Sequence, residues 1–120
     1  MLTFAAYGLA IVLSVFCAYI GALFLLRPVA SAAGYGVPSE MSAYLTVKGL
    51  RDFSYGVLGL VLIAFADPSA VGLYMLVVAL NPLGDTLVVL RNGGTKAVAF
   101  GIHFATAVAV LVSAGLMFAV

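Results

Sequence analysis

The stretch Leu2–Leu26 (LTFAAYGLAIVLSVFCAYIGALFLL) contains no charged residue, and it decides the fold class of this chain. Roughly 20 predominantly apolar residues are enough for a helix to cross the hydrocarbon core of a bilayer. Because no water satisfies backbone groups there, a spanning segment has to be a helix or part of a closed barrel. The alternation of apolar and polar residues that a barrel requires is missing from the sequence. The stretch therefore predicts a transmembrane helix.

The composition extends this interpretation to the whole chain of 120 residues, of which 66% are hydrophobic and 8% are charged. Soluble domains average about 45–50% apolar and about 25% charged residues, and disordered chains are more polar still. The formal net charge of +1 and the lack of a basic stripe indicate that the protein has no nucleic acid partner. A single cysteine excludes an internal disulfide framework. An integral membrane protein of one domain is left, with membrane lipid as its partner.

Proline, glycine and capping residues divide the chain into four predicted spans. The dipeptide at 27–28 (RP) ends the first span, and residues 28–38 are expected to be a loop. Ser39 is the predicted N-cap of the second helix. The dipeptide at 67–68 (DP) predicts a cap followed by proline at the first helical position, and the segment at 91–94 (RNGG) predicts a turn. The spans then cover approximately residues 2–26, 41–66, 68–90 and 96–119.

The predicted fold is an all-α integral membrane antiparallel four-helix bundle, formed by residues 1–120 as one domain, because short connections make consecutive helices antiparallel. All five Lys and Arg residues lie toward the side that is reached after the first span. The positive-inside rule places that side in the cytoplasm. We therefore expect a multi-pass protein of the cell membrane with both termini extracytoplasmic. Cleavage of a signal peptide is not expected, because the first apolar run is longer than the usual of about 7–15 residues.

The second span carries Lys48, Arg51 and Asp52 at membrane depth. A charge at the centre of a spanning helix costs about 2.5–3.5 kcal/mol, whereas each Leu, Ile, Phe or Val returns only about 0.3–0.6 kcal/mol. These residues are therefore expected to lie near the cytoplasmic face, to point into the bundle and to have partners. Lys48 and Asp52 are spaced i, i+4 and can pair. Arg51 points about 100° away from Asp52, and we expect it to pair with Asp85 on the third span.

Ionisable residues on the third and fourth spans, Asp85 and His103, lie at a similar predicted depth. Two polar stripes follow helical spacing, one on the second span (Tyr44, Lys48, Arg51, Tyr55) and one on the third (Tyr74, Asn81, Asp85). Pro82 removes a hydrogen bond to the carbonyl of Val78 and predicts a kink. The candidate ligand-binding or proton site is therefore formed by Lys48, Arg51, Asp52, Tyr55, Asn81, Asp85 and His103.

Small residues on the first two spans predict a close helix–helix contact. Small side chains let two helices approach closely in a membrane. The predicted contact surface consists of Ser14, Ala18 and Gly21 on the first span and Gly49, Gly56 and Gly59 on the second. Tyr35 is compatible with a role as an interfacial anchor.

Four motifs together resemble a known family. They are the segments at 44–52 (YLTVKGLRD), 82–85 (PLGD), 89–94 (VLRNGG) and 101–107 (GIHFATA). They are similar to those of a family of small membrane proteins catalogued as domain of unknown function 4267, and the segment at 34–38 (GYGVP) fits the same family. The resemblance covers nearly the whole chain. It implies a four-span bundle and brings no activity, substrate or catalytic residue.

Three classes of function stay open from the sequence. The first, which we favour, is the binding of a lipophilic small molecule, and whether the protein is also an enzyme is open. The second is a proton-coupled small-molecule transporter, and the third is a non-catalytic assembly or accessory subunit. A pairing of Arg51 with Asp85 fits a structural and a functional role equally well, and for His103 a packing role is slightly favoured.

No cofactor and no metal are expected. One His and two Asp without a Glu-x-x-His pair fall short of the di-metal sites of helix bundles, and a single His is poor support for haem. A homo-oligomer stays open, in particular for the transporter, because four spans hardly enclose a pathway alone.

Overall fold

Every regular element of the chain is a helix in the computed structural model, which describes residues 1–120. This confirms the all-α prediction. The elements are α1 (Leu2–Leu26), α2 (Pro28–Tyr35), α3 (Ser42–Phe65), α4 (Pro68–Val78), α5 (Leu80–Arg91), α6 (Lys96–Val98), a π-helical segment (Ala99–Phe104) and α7 (Ala105–Phe118).

Three helical stretches are long and apolar enough to cross a membrane: Leu2–Leu26, Pro68–Arg91 and Lys96–Phe118. The fourth long helix, α3, has 24 residues but carries Lys48, Arg51 and Asp52 within its length. These three charged residues distinguish α3 from the three stretches named above.

The prediction of a loop at 28–38 is wrong, because Pro28–Tyr35 forms α2. Pro28 occupies the start of the helix, where its missing N–H costs nothing and its fixed φ is already helical. The alanines that follow favour helix. Gly36, with φ of 106°, ends α2 in the left-handed conformation that glycine adopts readily.

Ser39 is not the N-cap of the second long helix, which begins three residues later, at Ser42. The Ser39 hydroxyl accepts a hydrogen bond from the N–H of Met41 at 3.2 Å. Serine side chains form such local bonds in turns as well as at helix ends, so the residue type alone does not locate the cap.

The remaining helix boundaries agree with the sequence prediction. Asp67 caps α4 by accepting a hydrogen bond from the N–H of Ala70 at 2.9 Å, with Pro68 at the first helical position. The turn before α6 contains Gly93 with φ of 78°. The helical stretch of residues 68–91 is divided into α4 and α5 at Ala79, three residues before Pro82, and the kink expected from this proline stays a prediction.

The close contact of α1 with α3 is confirmed. A Cβ atom added at Gly49 would lie 2.8 Å from the carbonyl oxygen of Gly21, and one added at Gly56 would lie 2.6 Å from that of Ser14. The two backbones therefore touch at these positions. Since residue numbers rise along α3 as they fall along α1, the two helices run in opposite directions.

The main apolar core joins α1 to α4 and α7 near the chain termini. Its buried members are Ala6, Ala10, Val71, Met75, Ala79, Val110, Ala114 and Met117. A smaller cluster of Phe24, Ala32 and Leu45 lies at the opposite end, where α2 packs against α1 and α3. The polar residues of the candidate site lie between these two clusters.

The backbone contact of α1 with α3 predicts a difference between two glycine-to-alanine substitutions. Gly56→Ala should lower the free energy of unfolding by about 1–3 kcal/mol, because the new methyl group would overlap backbone atoms of α1. Gly115→Ala is the matched control, since a Cβ there meets no atom within 4 Å. It should be neutral or stabilising by up to about 1 kcal/mol. Unfolding of detergent-solubilised protein by increasing SDS measures both, and equal effects would contradict the prediction.

Candidate functional site

Five side chains from four elements meet at the end of the fold where α2 lies. We call them the polar cluster: Tyr35 from α2, Lys48 and Asp52 from α3, Asp85 from α5 and His103 from the π-helical segment. The structure thus brings four of the seven predicted site residues together and adds Tyr35.

Tyr35 holds the polar cluster together through both its hydroxyl and its backbone. The hydroxyl donates a hydrogen bond to Asp85 Oδ1 at 2.7 Å. The backbone carbonyl oxygen lies 2.7 Å from His103 Nε2. Burial and the hydrogen bond to Asp85 raise the pKa of the Tyr35 hydroxyl above its ordinary value, so it stays protonated and able to donate.

The contact with Tyr35 fixes the proton on the His103 ring. A carbonyl oxygen can only accept, so Nε2 of His103 must carry hydrogen. In the neutral ring, Nδ1 is then an acceptor, and it lies 3.9 Å from Oδ2 of Asp85. Two acceptors at this separation have no hydrogen bond between them. The arrangement leaves room for a proton or for a donor group that approaches from outside.

The predicted pair of Lys48 with Asp52 is confirmed, with Nζ and Oδ2 2.6 Å apart. The ammonium group also lies over the ring of Phe24, 4.5 Å from its centroid, and over that of Tyr35 at 5.1 Å. Aromatic rings attract cations in this geometry. Lys48 is therefore neutralised and fixed by neighbours from three helices.

The predicted ion pair of Arg51 with Asp85 is wrong. Arg51 is exposed and forms no ion pair within 4.0 Å. The reason is the rotation of α3: Gly49 faces α1, and at 100° per residue Arg51 lies about 160° around the helix from it. Asp85 instead turns toward Tyr35 and His103.

Tyr55 and Asn81, the other two predicted site residues, lie beside the polar cluster without bonding to it. The backbone carbonyl of Tyr55 accepts a hydrogen bond from the hydroxyl of Tyr74, which ties α3 to α4. Asn81 is exposed near the interruption between α4 and α5.

The sequence reasoning missed Tyr35 because it assigned this residue to a loop and compared it with interfacial tyrosines. The available signal is the glycine that follows it, Gly36. A Cβ at Gly36 would lie 2.8 Å from Val98 and 3.2 Å from Val89, so this glycine lets the end of α2 approach α5 and α6. That approach carries Tyr35 to Asp85.

A first cavity of about 610 Å³ extends from the polar cluster between α1, α2, α4, α5 and α7. Its walls are mostly apolar, with Ile20, Leu23, Met75, Val78 and Val110 among them. The exposed residues Phe16, Tyr19 and Ile102 also line it, so it opens sideways between α1 and the π-helical segment.

A second cavity of about 460 Å³ lies between α3 and α5. The predicted stripe of Tyr44, Lys48, Arg51 and Tyr55 faces it as a unit, and Val88 lines the opposite side. Lys48, Asp52, Tyr35 and Asp85 line both cavities. Four members of the polar cluster thus form the wall between the two cavities.

A protein-family model matches residues 14–117 of the chain. The chain belongs to the family described as Domain of unknown function (DUF4267). The match confirms the resemblance seen in the sequence, and it includes every member of the polar cluster. The comparisons with curated proteins and with solved structures give no match.

The role of Tyr35 predicts that Tyr35→Phe destabilises the protein. The change removes the donor to Asp85 and leaves the rest of the ring in place. Hydrogen bonds to charged groups contribute about 1.5–3 kcal/mol. Because the Asp85 side chain is 30% exposed, solvent screens this hydrogen bond. We therefore expect Tyr35→Phe to lower the free energy of unfolding by about 1–2 kcal/mol. Tyr19→Phe removes an exposed hydroxyl from the same cavity lining and serves as the control. Thermal unfolding in detergent compares the two, and a Tyr35→Phe variant as stable as the control would disprove the role.

Proposed function

We propose that this protein binds a lipophilic small molecule with a hydrogen-bond donor at one end, such as an alcohol, a phenol or an amine, in the first cavity. The observation that carries the proposal is the pair of facing acceptors, His103 Nδ1 and Asp85 Oδ2, 3.9 Å apart at the end of an apolar cavity. A donor group of the ligand satisfies acceptors that the chain itself leaves without one.

The walls of the first cavity fit the rest of such a ligand. Small-molecule sites are typically concave and apolar, with a few polar groups that fix the orientation. At the far end from the polar cluster lies Ser14, whose buried hydroxyl has no hydrogen-bond partner. Ten residues separate Ser14 from Phe24, so the cavity has room for a ligand of roughly 15 Å.

The sideways opening supports entry from the acyl-chain region of the bilayer rather than from water. This requires the helices to be embedded in a membrane, and we propose that they cross it as an antiparallel four-helix bundle. The spans are α1, α3, α4 with α5, and α6 to α7. The pairing of Lys48 with Asp52 lowers the cost of embedding α3. By the positive-inside rule, both termini are extracytoplasmic and the polar cluster is near the cytoplasm.

Transport is the weaker candidate. The buried core of Val71, Met75, Val110 and their neighbours closes the first cavity on the side of the termini. A transported molecule would have to pass this close-packed region. A subunit whose polar cluster only holds helices together is the other alternative, and the ligand experiment below separates it from binding.

The topology is testable with alkaline phosphatase fusions, because this enzyme is active only outside the bacterial cytoplasm. Fusions after Ala66 and at the C-terminus should be active, whereas a fusion after Asn92 should be inactive. If α3 does not cross the membrane, every site after it changes side: the fusion after Asn92 becomes active, and the fusions after Ala66 and at the C-terminus become inactive. The controls are matched fusions to green fluorescent protein, which is fluorescent only when it stays inside.

Ligand binding is testable by photolabelling in lipid nanodiscs with a decanol that carries a diazirine on its chain. Labels mapped by mass spectrometry should concentrate on residues of the first cavity, such as Leu23, Met75 and Val110. His103→Ala should lower labelling about tenfold, because one hydrogen bond contributes about 1.4 kcal/mol. Phe104→Ala is the matched control on the same segment, since Phe104 is exposed and lines neither cavity.

Three outcomes of the photolabelling are informative. Selective labelling that Asp85→Asn also reduces, in a variant with unchanged circular dichroism, supports the proposal. Labelling spread evenly over the lipid-facing residues contradicts it. If His103→Ala lowers only the unfolding temperature, the polar cluster has a structural role.

A further inference from the structure

The second cavity contains an arginine that no acidic residue neutralises. Arg51 lies nine residues after Ser42, about 14 Å along α3, and has no carboxylate within 4.0 Å. A guanidinium group does not lose its proton under physiological conditions. In a helix that crosses a membrane, its long side chain is expected to reach toward the lipid head groups while its stem stays at the apolar surface. An anion supplied by the membrane would neutralise the charge of Arg51 and accept its hydrogen bonds.

The opposite wall of the second cavity carries a carboxylate. Asp85 lies on α5 and lines the cavity together with Asn81. Its only hydrogen bond comes from Tyr35, so acceptor positions on the carboxylate stay free. Lys48 and Asp52 also line the cavity, but they neutralise each other. What is left is one positive charge on α3 and one negative charge on α5, with no direct contact between them.

This arrangement complements a molecule that carries both charges and no net charge. A purely anionic ligand would satisfy Arg51 but would be repelled by Asp85, which lies in the same cavity. The hydroxyl groups of Tyr44 and Tyr55, on the same side as Arg51, can donate further hydrogen bonds to an anion. An ammonium group with N–H donors suits the side of Asp85 and Asn81.

The position of the second cavity favours a membrane lipid as the source of this molecule. Tyr44, Val47 and Val88 line it and are exposed, so it opens between α3 and α5 toward the surroundings of the helices. Leu58 lies seven residues after Arg51 on the same face of α3, and it is exposed as well. An acyl chain can therefore run along this face while the head group occupies the cavity.

We propose that the second cavity binds the head group of a zwitterionic phospholipid with a primary ammonium group, as in phosphatidylethanolamine. The phosphate contacts Arg51, and the ammonium group lies toward Asp85. The two proposed sites meet at Asp85, which lines both cavities, but each has a residue of its own: Arg51 lines only the second cavity and His103 only the first.

Native mass spectrometry of delipidated protein in detergent tests the proposal. The probes are phosphatidylethanolamine, phosphatidylcholine, phosphatidylglycerol and the soluble glycerophosphoethanolamine. Phosphatidylethanolamine should bind best, since phosphatidylcholine has no N–H donors and phosphatidylglycerol has no cation. Arg51→Gln should weaken its binding about tenfold, the size expected for a lost charge-assisted hydrogen bond. Arg91→Gln is the matched control, an exposed arginine outside both cavities.

The outcomes separate this proposal from its alternatives. Tighter binding of phosphatidylglycerol, or equal binding by wild type and Arg51→Gln, overturns it. Equal affinity for the soluble head group would identify a free metabolite as the ligand and also overturns it. Because Arg51 is exposed, its replacement should leave folding intact. Decanol photolabelling should be unchanged in Arg51→Gln, so this proposal and the first-cavity proposal fail independently.

Discussion

The backbone contact between α1 and α3 determines which charges of α3 point inward. Gly49 and Gly56 have no side chains, and backbone atoms of α1 fill the space that a Cβ would need. A helix held this closely cannot rotate about its own axis. With these glycines turned to α1, Asp52 lies about 60° from the contact and Arg51 about 160° from it. The same contact therefore places the pair of Lys48 and Asp52 beside Tyr35 and leaves Arg51 at the second cavity.

The short helix α2 completes the site by connecting two pairs of helices. α1 packs against α3, and α4 packs against α7, with the ring of Phe118 on Gly72. The two pairs meet in the apolar core near the termini and leave cavities at the other end. There, Tyr35 donates to Asp85 and accepts from His103, while Gly36 contacts Val89 and Val98. Because α2 also packs against α1 and α3, it is held on both sides.

Much of the fold follows from the sequence, because apolar length, proline and capping residues act locally. The extent of the long helices, the Asp67 cap and the glycine contact of α1 with α3 are all predictable in this way. The loop prediction at 28–38 failed because proline both ends one helix and begins the next. The pairing of Arg51 with Asp85 failed because depth and periodicity place residues in a common layer without fixing the rotation of each helix. The positions of Gly49 and Gly56 contain that information, and combining them with the charge positions would have turned Arg51 outward.

The polar cluster depends on long-range contacts that local patterns do not contain. The hydrogen bonds of Tyr35 join residues 50 and 68 positions apart along the chain. From the sequence, a tyrosine between two long apolar helices is compatible with a membrane interface and with the protein interior alike. Only the approach of Gly36 to α5 and α6 distinguishes the two, and this approach is a property of the assembled fold.

The π-helical segment Ala99–Phe104 has a consequence for how the last helix evolves and is engineered. Each π turn holds about one more residue than an α turn, and such turns are most simply described as single-residue insertions into an α-helix. Compared with an uninterrupted α-helix, the π turn changes the angle about the helix axis between the residues before it and the residues after it. Val98 and His103 both contact the end of α2, although they are five residues apart and would lie about 140° apart on an uninterrupted α-helix. The π turn brings them to one side. Loss of a single residue from this segment would leave the two positions four apart on an ordinary α-helix, where they still share a face, so such a deletion should preserve both contacts with α2.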